Sequence, residues 1–132
     1  MITEIERELW KKFLDRLSRD LDGWETRVEI LNEEIGAQVA SDGLPFHGLT
    51  AEEKPDGKVK IEMSVGDRIE SHQTHTVENP VRMSVERDKV GPGGLLGIED
   101  ADGTKMLIKF IQPYPVIFEY VNTEMVSVGR PN

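Results

Sequence analysis

The chain has 132 residues, of which 25 are acidic and 16 are basic, and it contains no cysteine. This length suits one domain with a single packed core. The lack of cysteine excludes a disulfide scaffold, a cysteine-ligated zinc site and a thiol nucleophile. The net charge of −9 repels polyanions, so we expect no nucleic-acid partner.

Neither a membrane anchor nor a secretory signal is visible in the sequence. No apolar run approaches the roughly 18 residues that a membrane span needs. The N-terminus carries acidic residues where a secretory signal carries basic ones. We therefore expect a cytoplasmic protein that does not associate with membranes, and no motif implies a cofactor.

The first predicted element is an amphipathic helix. Six apolar residues near the N-terminus recur at intervals of about three and four, which places them on one helical stripe. They are Ile5, Leu9, Trp10, Phe13, Leu14 and Leu17. Thr3 and Glu6 have the spacing of a capping box, which predicts a helix start at about residue 4. The helix is predicted to end near Gly23.

After Gly23 the hydrophobic period changes from 3.6 residues to 2, which is typical of strands. The alternating segments are residues 24–30, 59–65 and 81–85, with weaker ones at 35–40, 44–49, 95–99 and 105–111. Turn-forming residues such as Ser41-Asp42-Gly43 separate them. One helix and about six to eight strands without crossover helices predict an α+β fold. In this fold the helix packs on a strongly bent antiparallel sheet or small open barrel.

The C-terminal residues differ from the rest of the chain. We expect residues 1–112 to form the domain and residues 113–132 to form an extension. Pro113 and Pro115 precede an apolar cluster at residues 116–121. Such a cluster needs a cover, which is either the core of the same chain or a second copy. The second alternative predicts a homodimer through residues 113–121.

His72 and His75 form an H-x-x-H pair close to carboxylates, a set of groups that suits zinc or a similar ion. The neighbouring residues favour extended backbone, where side chains three positions apart point in opposite directions. A site with enough ligands would also need His47, brought near by the fold. We therefore expect no metal site. A small metal-dependent or hydrolytic enzyme using His72, His75 and a carboxylate is kept as an alternative function.

Other catalytic signatures are incomplete. Ser64 stands in an alternating strand and lacks the first glycine of a nucleophile elbow. The glycine-rich run at residues 91–97 is not followed by the Lys-Ser or Lys-Thr of a phosphate-binding loop. We therefore assign no catalytic residue.

Several short motifs occur in the order found in a known family. They are Glu4-Ile5-Glu6-Arg7, Ser18-Arg19, Gly23-Trp24, Val28-Glu29-Ile30-Leu31, Ile35-Gly36-Ala37-Gln38, Gly66-Asp67, Thr74-His75, Asn79-Pro80 and Ala101-Asp102-Gly103-Thr104. Through most of residues 3–111 the chain resembles a family of small, uncharacterised bacterial proteins classed as a domain of unknown function. Relatives often have a proline where Glu6 stands. The resemblance implies a soluble bacterial origin, and it assigns no catalytic residues because the family has no assigned activity.

These observations favour a non-enzymatic binding or interaction module, with a homo-oligomeric structural unit as a further alternative. The predicted ligand-binding residues are Trp24, Asp67, His75 and Arg82. The resemblance includes Asp67 and His75, Arg82 lies on the strand that leaves their loop, and Trp24 would supply an aromatic wall. The expected partner is a protein or a small ligand, held by the loops around residues 66–79 and 90–94.

Overall fold

In a computed structural model, which describes residues 2–66, 72–86 and 94–111, the chain forms one helix and one eight-stranded sheet. The elements are β1 (Ile2–Glu4), a 3₁₀ turn (Arg7–Leu9), α1 (Trp10–Asp20), β2 (Glu25–Asn32), β3 (Gly36–Glu53), β4 (Val59–Gly66), β5 (His72–Glu78), β6 (Pro80–Glu86), β7 (Leu95–Asp100) and β8 (Lys105–Ile111). The strand order is β1-β6-β7-β8-β2-β3-β4-β5, and every neighbouring pair is antiparallel. The sheet is not closed, so the α+β prediction of a bent, open antiparallel sheet is confirmed.

The core lies on one face of the sheet because the strands alternate. In β4 the odd-numbered residues 59–65 are buried and the even-numbered residues between them are half-buried. β8 repeats this pattern, and its Phe110 meets Phe46 of β3 edge to face at a ring-centroid distance of 5.0 Å. Trp10 and Leu14 of α1 complete the core. We call the core side of the sheet the inner face and the opposite side the outer face.

The start of the helix differs from the prediction. Thr3 belongs to β1 and pairs with Val85 of β6, so the capping box with Glu6 does not form. Glu6 has extended backbone and makes no side-chain cap bond. The strand pairing of β1 uses the backbone that a capped helix would have needed, and α1 therefore begins at Trp10. Its end at Asp20, shortly before Gly23, agrees with the prediction of an end near that residue.

The two weaker strands predicted at residues 35–40 and 44–49 form one strand. The whole of β3 is continuous through Ser41-Asp42-Gly43, so the predicted break there was wrong. Gly43 takes a positive φ of 86°, and the pairing of β3 with β2 shifts register on either side of this region. A bulge absorbs an irregular residue while pairing continues. The turn-like residues therefore bend the strand without ending it.

The first half of β3 pairs with β2, whereas its second half has α1 beside it. Pairing with β2 stops at Pro45, opposite Glu25. Beyond that point the Ser18 hydroxyl of α1 accepts a hydrogen bond from the Leu49 N–H at 2.8 Å. The same hydroxyl oxygen lies 3.0 Å from the Leu49 carbonyl oxygen. The helix thus takes the place of a neighbouring strand along this part of β3.

The chain crosses from one end of the sheet to the other through Asn79. This residue joins β5, an edge strand, to β6. Its N–H donates to Val59 and its carbonyl accepts from Ala101, which ties β4 to the β7–β8 turn. Asn79 has a φ of 52°, the one positive value of a non-glycine residue in the described ranges, and asparagine tolerates that conformation better than most residues. The predicted extension at residues 113–132 lies outside the described residues.

Candidate functional site

The four predicted ligand-binding residues do not share one surface as far as the structure describes them. Asp67 lies outside the described residues. Trp24 stands between α1 and β2, half-buried against the core, and its carbonyl accepts the Phe46 N–H at 2.8 Å. Much of its indole therefore packs inside the molecule. A ligand-binding role for Trp24 stays a prediction.

His75 is an inner-face residue of β5. It pairs across the strands with Met63, a buried core residue. Its Nε2 lies 3.2 Å from the Oγ of Ser41, which is itself buried. Desolvation by burial lowers the pKa of His75 from its ordinary value, because the charged imidazolium loses solvation there. The contact with Ser41 gives His75 a packing role, and its role in binding stays a prediction.

Arg82 lies on the outer face of β6, since its neighbour Met83 is buried in the core. Its guanidinium is 3.9 Å from Glu4 and 3.7 Å from Glu99, and 60% of its side chain is exposed. Both distances exceed the length of a hydrogen bond. Because His75 faces the core from β5, the structure does not bring Arg82 and His75 together.

A hollow of about 430 Å³ lies next to Arg82 on the outer face. Strands β1, β6, β7 and β8 supply its walls. The lining residues are Ile2, Glu4, Arg82, Ser84, Glu86, Leu95, Gly97, Ile98, Glu99, Lys105 and Leu107. The hollow therefore combines an apolar floor with charged groups of both signs.

Gly97 of β7 lines this hollow. It pairs with Ser84 on one side and with Leu107 on the other. A Cβ added at Gly97 would lie 3.3 Å from the Ser84 Oγ and 3.4 Å from a Leu107 methyl carbon, which is tight for a Cβ. Gly97 is not among the glycines with positive φ, so the backbone does not require glycine there. Its effect is to let the two neighbouring side chains approach each other across β7.

A second outer-face group forms across β3, β4 and β5. The rings of His47 and His72 are nearly parallel, with an interplanar angle of 17° and centroids 6.4 Å apart. His47 Nε2 donates to the Gly66 carbonyl oxygen, and His72 Nε2 lies 3.3 Å from the Ser64 Oγ. Asp22 approaches His47 Nδ1 at 4.0 Å. We call these five residues the imidazole group.

The sequence did not indicate the imidazole group as a unit. His47 stands 25 residues before His72 in the chain, and no spacing rule connects them. The two rings meet because β3 and β5 both flank β4 in the sheet. His75 faces the core and His72 faces outward, as predicted for extended backbone, so the H-x-x-H pair does not form one site.

Residues 2–66, 72–86 and 94–111 contain no group of three or more histidine, aspartate or glutamate side chains placed to hold a metal ion. His72 and His75 lie on opposite faces of the sheet. In the imidazole group, the Nε2 atom of His47 is already bonded to a backbone carbonyl. The described residues thus give the metal-dependent alternative no support.

A second hollow of about 440 Å³ lies between the N-terminal end of α1 and strands β3 and β4. Arg7 lines it, but its guanidinium donates to the Gly57 carbonyl at 2.9 Å and lies 5.6 Å from the Trp10 ring. These contacts hold the 3₁₀ turn against the β3–β4 turn. This arginine therefore has a structural function, which distinguishes it from Arg82.

Comparison with known proteins identifies the chain as a member of a family. A family of unknown function, DUF5335, matches residues 1–116, and the chain belongs to it. An uncharacterised protein of Aquifex aeolicus is 29% identical over 112 residues, which cover 85% of this chain and 94% of the relative. No solved structure matches. The predicted resemblance to an uncharacterised bacterial family is confirmed.

The helices of the described segments are too short, or too polar, to cross a bilayer.

Proposed function

We propose that the protein is a non-enzymatic binding module that holds a partner protein on the outer face of β6, β7 and β8. The observation that supports this proposal best is the hollow at Gly97 with Arg82 at its rim. An interaction site needs space for an anchoring side chain and polar groups that fix its orientation. The hollow offers both on one rigid sheet.

The apolar part of the hollow suits an aliphatic or aromatic side chain. Leu95 and Leu107 are half-buried, and Ile2 is 67% exposed. Burying an apolar side chain between them contributes roughly 1.5 to 3 kcal/mol to association.

Arg82 suits a carboxylate of the partner that lies beside the anchoring side chain. Its two contacts with Glu4 and Glu99 are loose, so a partner carboxylate can accept two hydrogen bonds from the guanidinium fork. Arg27 on the same outer face differs, because it bonds Asp42 at 2.7 Å and Glu29 at 3.2 Å. Arg82 is therefore the better placed of these two arginines for recognition.

A photocrosslinking experiment tests the hollow. The photoreactive amino acid benzoylphenylalanine replaces Leu107 in one protein and Leu9, which is 50% exposed on the helical side, in the control. Each is irradiated in a bacterial lysate. We expect a discrete adduct at position 107, absent at position 9 and abolished by Arg82→Gln or Gly97→Leu in a protein with unchanged melting temperature. Equal labelling at both positions, or an adduct that persists in both variants, would contradict the proposal.

Self-association through residues 113–121 is a separate prediction. These residues lie outside the described structure, so the outer-face hollow does not bear on it. The apolar composition of that segment supports it. Sedimentation of the full chain beside a chain that ends at Ile111 tests it. A dimer that becomes a monomer on truncation is the expected result, and a full chain that stays monomeric at high concentration contradicts it.

A further inference from the structure

We propose that the imidazole group binds a planar cation of the guanidinium class, namely an arginine side chain of a partner protein, between the rings of His47 and His72. This site lies on the outer face of β3, β4 and β5, away from the hollow at Gly97. The inference goes beyond the proposed function, since either site can exist without the other.

The two imidazoles meet above the end of β4. His72 of β5 pairs with Gly66 at that end. His47 of β3 lies at a register shift, between residues that pair with Val65 and Ser64 of β4. The two rings therefore approach each other from strands on either side of β4, where Gly66 adds no side chain.

The rings are nearly parallel but stand slightly too close for a planar group between them. Face-to-face packing places carbon atoms about 3.5 Å apart, so a plane between two rings needs about 7 Å. The ring centroids are 6.4 Å apart and the planes are within 17° of parallel, so the gap between the planes is 6.4 Å at most. The rings must move apart to admit a planar group, and His72, which is exposed, has room to move outward.

The charges around the rings select a cation. The Asp22 carboxylate lies 4.0 Å from His47, and 64% of its side chain is exposed. The whole chain carries a net charge of −9, which attracts basic partners. The Ser64 hydroxyl oxygen beside His72 can accept a hydrogen bond from a bound donor.

Guanidinium satisfies the shape and the charge together. It is planar, always charged and stacks on aromatic faces, whereas the lysine ammonium is a compact, strongly hydrated point charge. A neutral aromatic ring fits the space but gains nothing from Asp22. These differences make arginine the expected side chain and provide two control ligands.

The test is an NMR titration of the imidazole ¹⁵N signals at about pH 8, above the ordinary titration range of imidazole. The probe is N-acetylarginine amide, and the controls are N-acetyllysine amide and neutral benzamide. We expect saturable shifts of the His47 and His72 signals with the arginine probe, and at least about 10-fold weaker binding of both controls. The inner-face His75 signals should stay unchanged.

Two variants complete the test. His72→Ala removes one ring and should abolish binding, and Asp22→Asn should weaken it about threefold or more, as expected for an exposed charge. Both residues are exposed, and an unchanged backbone amide spectrum verifies the fold. The proposal fails if the arginine probe shifts neither histidine, or if lysine amide or benzamide binds equally well. Neither failure affects the crosslinking expected at Leu107.

Discussion

The hollow at Gly97 and the imidazole group lie on the same outer face and differ in their chemistry. Gly97 has a paired strand on either side, with Ser84 and Leu107 as its neighbours, in a hollow with a mainly apolar floor. Gly66 pairs with His72, and His47 reaches the Gly66 carbonyl oxygen from β3. The comparison shows that the neighbouring strands determine the chemistry of each outer-face region.

The two regions are also supported differently. Strands surround β7 on both sides, whereas part of β3 has α1 as its neighbour. A strand that is paired on both sides is held in place by many backbone hydrogen bonds. The Leu49 N–H on this part of β3 donates to the hydroxyl of Ser18 in α1, so we expect this part of β3 to be easier to disturb than β7.

The largest predicted effect follows from this difference. Ser18→Ala leaves the Leu49 N–H without its acceptor in the half-buried contact between α1 and β3. An unsatisfied buried polar group costs about 1 to 3 kcal/mol, and we expect the free energy of unfolding in urea to fall by that amount. Ser84→Ala is the matched control in the hollow and should change it by less than about 0.5 kcal/mol. Equal losses in the two variants would show that α1 does not support β3 in this way.

The second prediction compares the two glycines directly. Gly66 has a φ of 122°, a conformation that disfavours any side chain, so Gly66→Ala should destabilise the protein by about 1 to 3 kcal/mol. Gly97→Ala meets only the Ser84 hydroxyl and a Leu107 methyl group at its edge, and should cost less than about 0.5 kcal/mol. Thermal unfolding of both variants measures the difference. A large loss at Gly97 would mean that its glycine is structural.

The smallest predicted effect concerns pH. Burial lowers the pKa of His75, so the unfolded chain takes up a proton at this residue before the folded protein does. Above the ordinary imidazole range the residue has no pH effect, and as the pH falls below about 6.5 the unfolded state gains stability relative to the folded state. We expect the free energy of unfolding to fall less steeply between about pH 7 and pH 5.5 in His75→Gln than in the wild type.

His72→Gln is the control for the pH experiment, because His72 is exposed on the outer face. It removes an imidazole but keeps the contact between His75 and Ser41, so the comparison isolates the contribution of the buried histidine. If His75→Gln shows the wild-type slope, desolvation of His75 is not the cause of the pH dependence.

The predicted strand positions agree with the structure where the hydrophobic pattern alternates strongly. Residues 59–65 and 81–85 became β4 and β6 almost without change. The pattern was less reliable where local residues compete with pairing. Thr3 and Glu6 have a good capping spacing, but β6 pairs with the same backbone, and Gly43 marks a bulge instead of a turn.

The candidate sites were harder to predict than the strands. Arg82 was a predicted site residue and lies beside a hollow, whereas His75 faces the core with Ser41 as its partner. The sequence patterns around Gly97 and His47 did not indicate which residues stand beside them in the sheet. Their importance depends on which residues stand on the neighbouring strands, and a single sequence does not give strand order.

By itself the sequence determined which face of the strongly alternating strands, such as β2 and β4, is buried, because side chains alternate with a period of two and apolar residues favour the core. It also determined the α+β class and the family. Tertiary structure alone decided that β3 and β5 flank β4, and that β6 and β8 flank β7. Strand order depends on contacts between residues far apart in the chain. For this reason the two outer-face sites, each assembled from at least three strands, appear only in the folded protein.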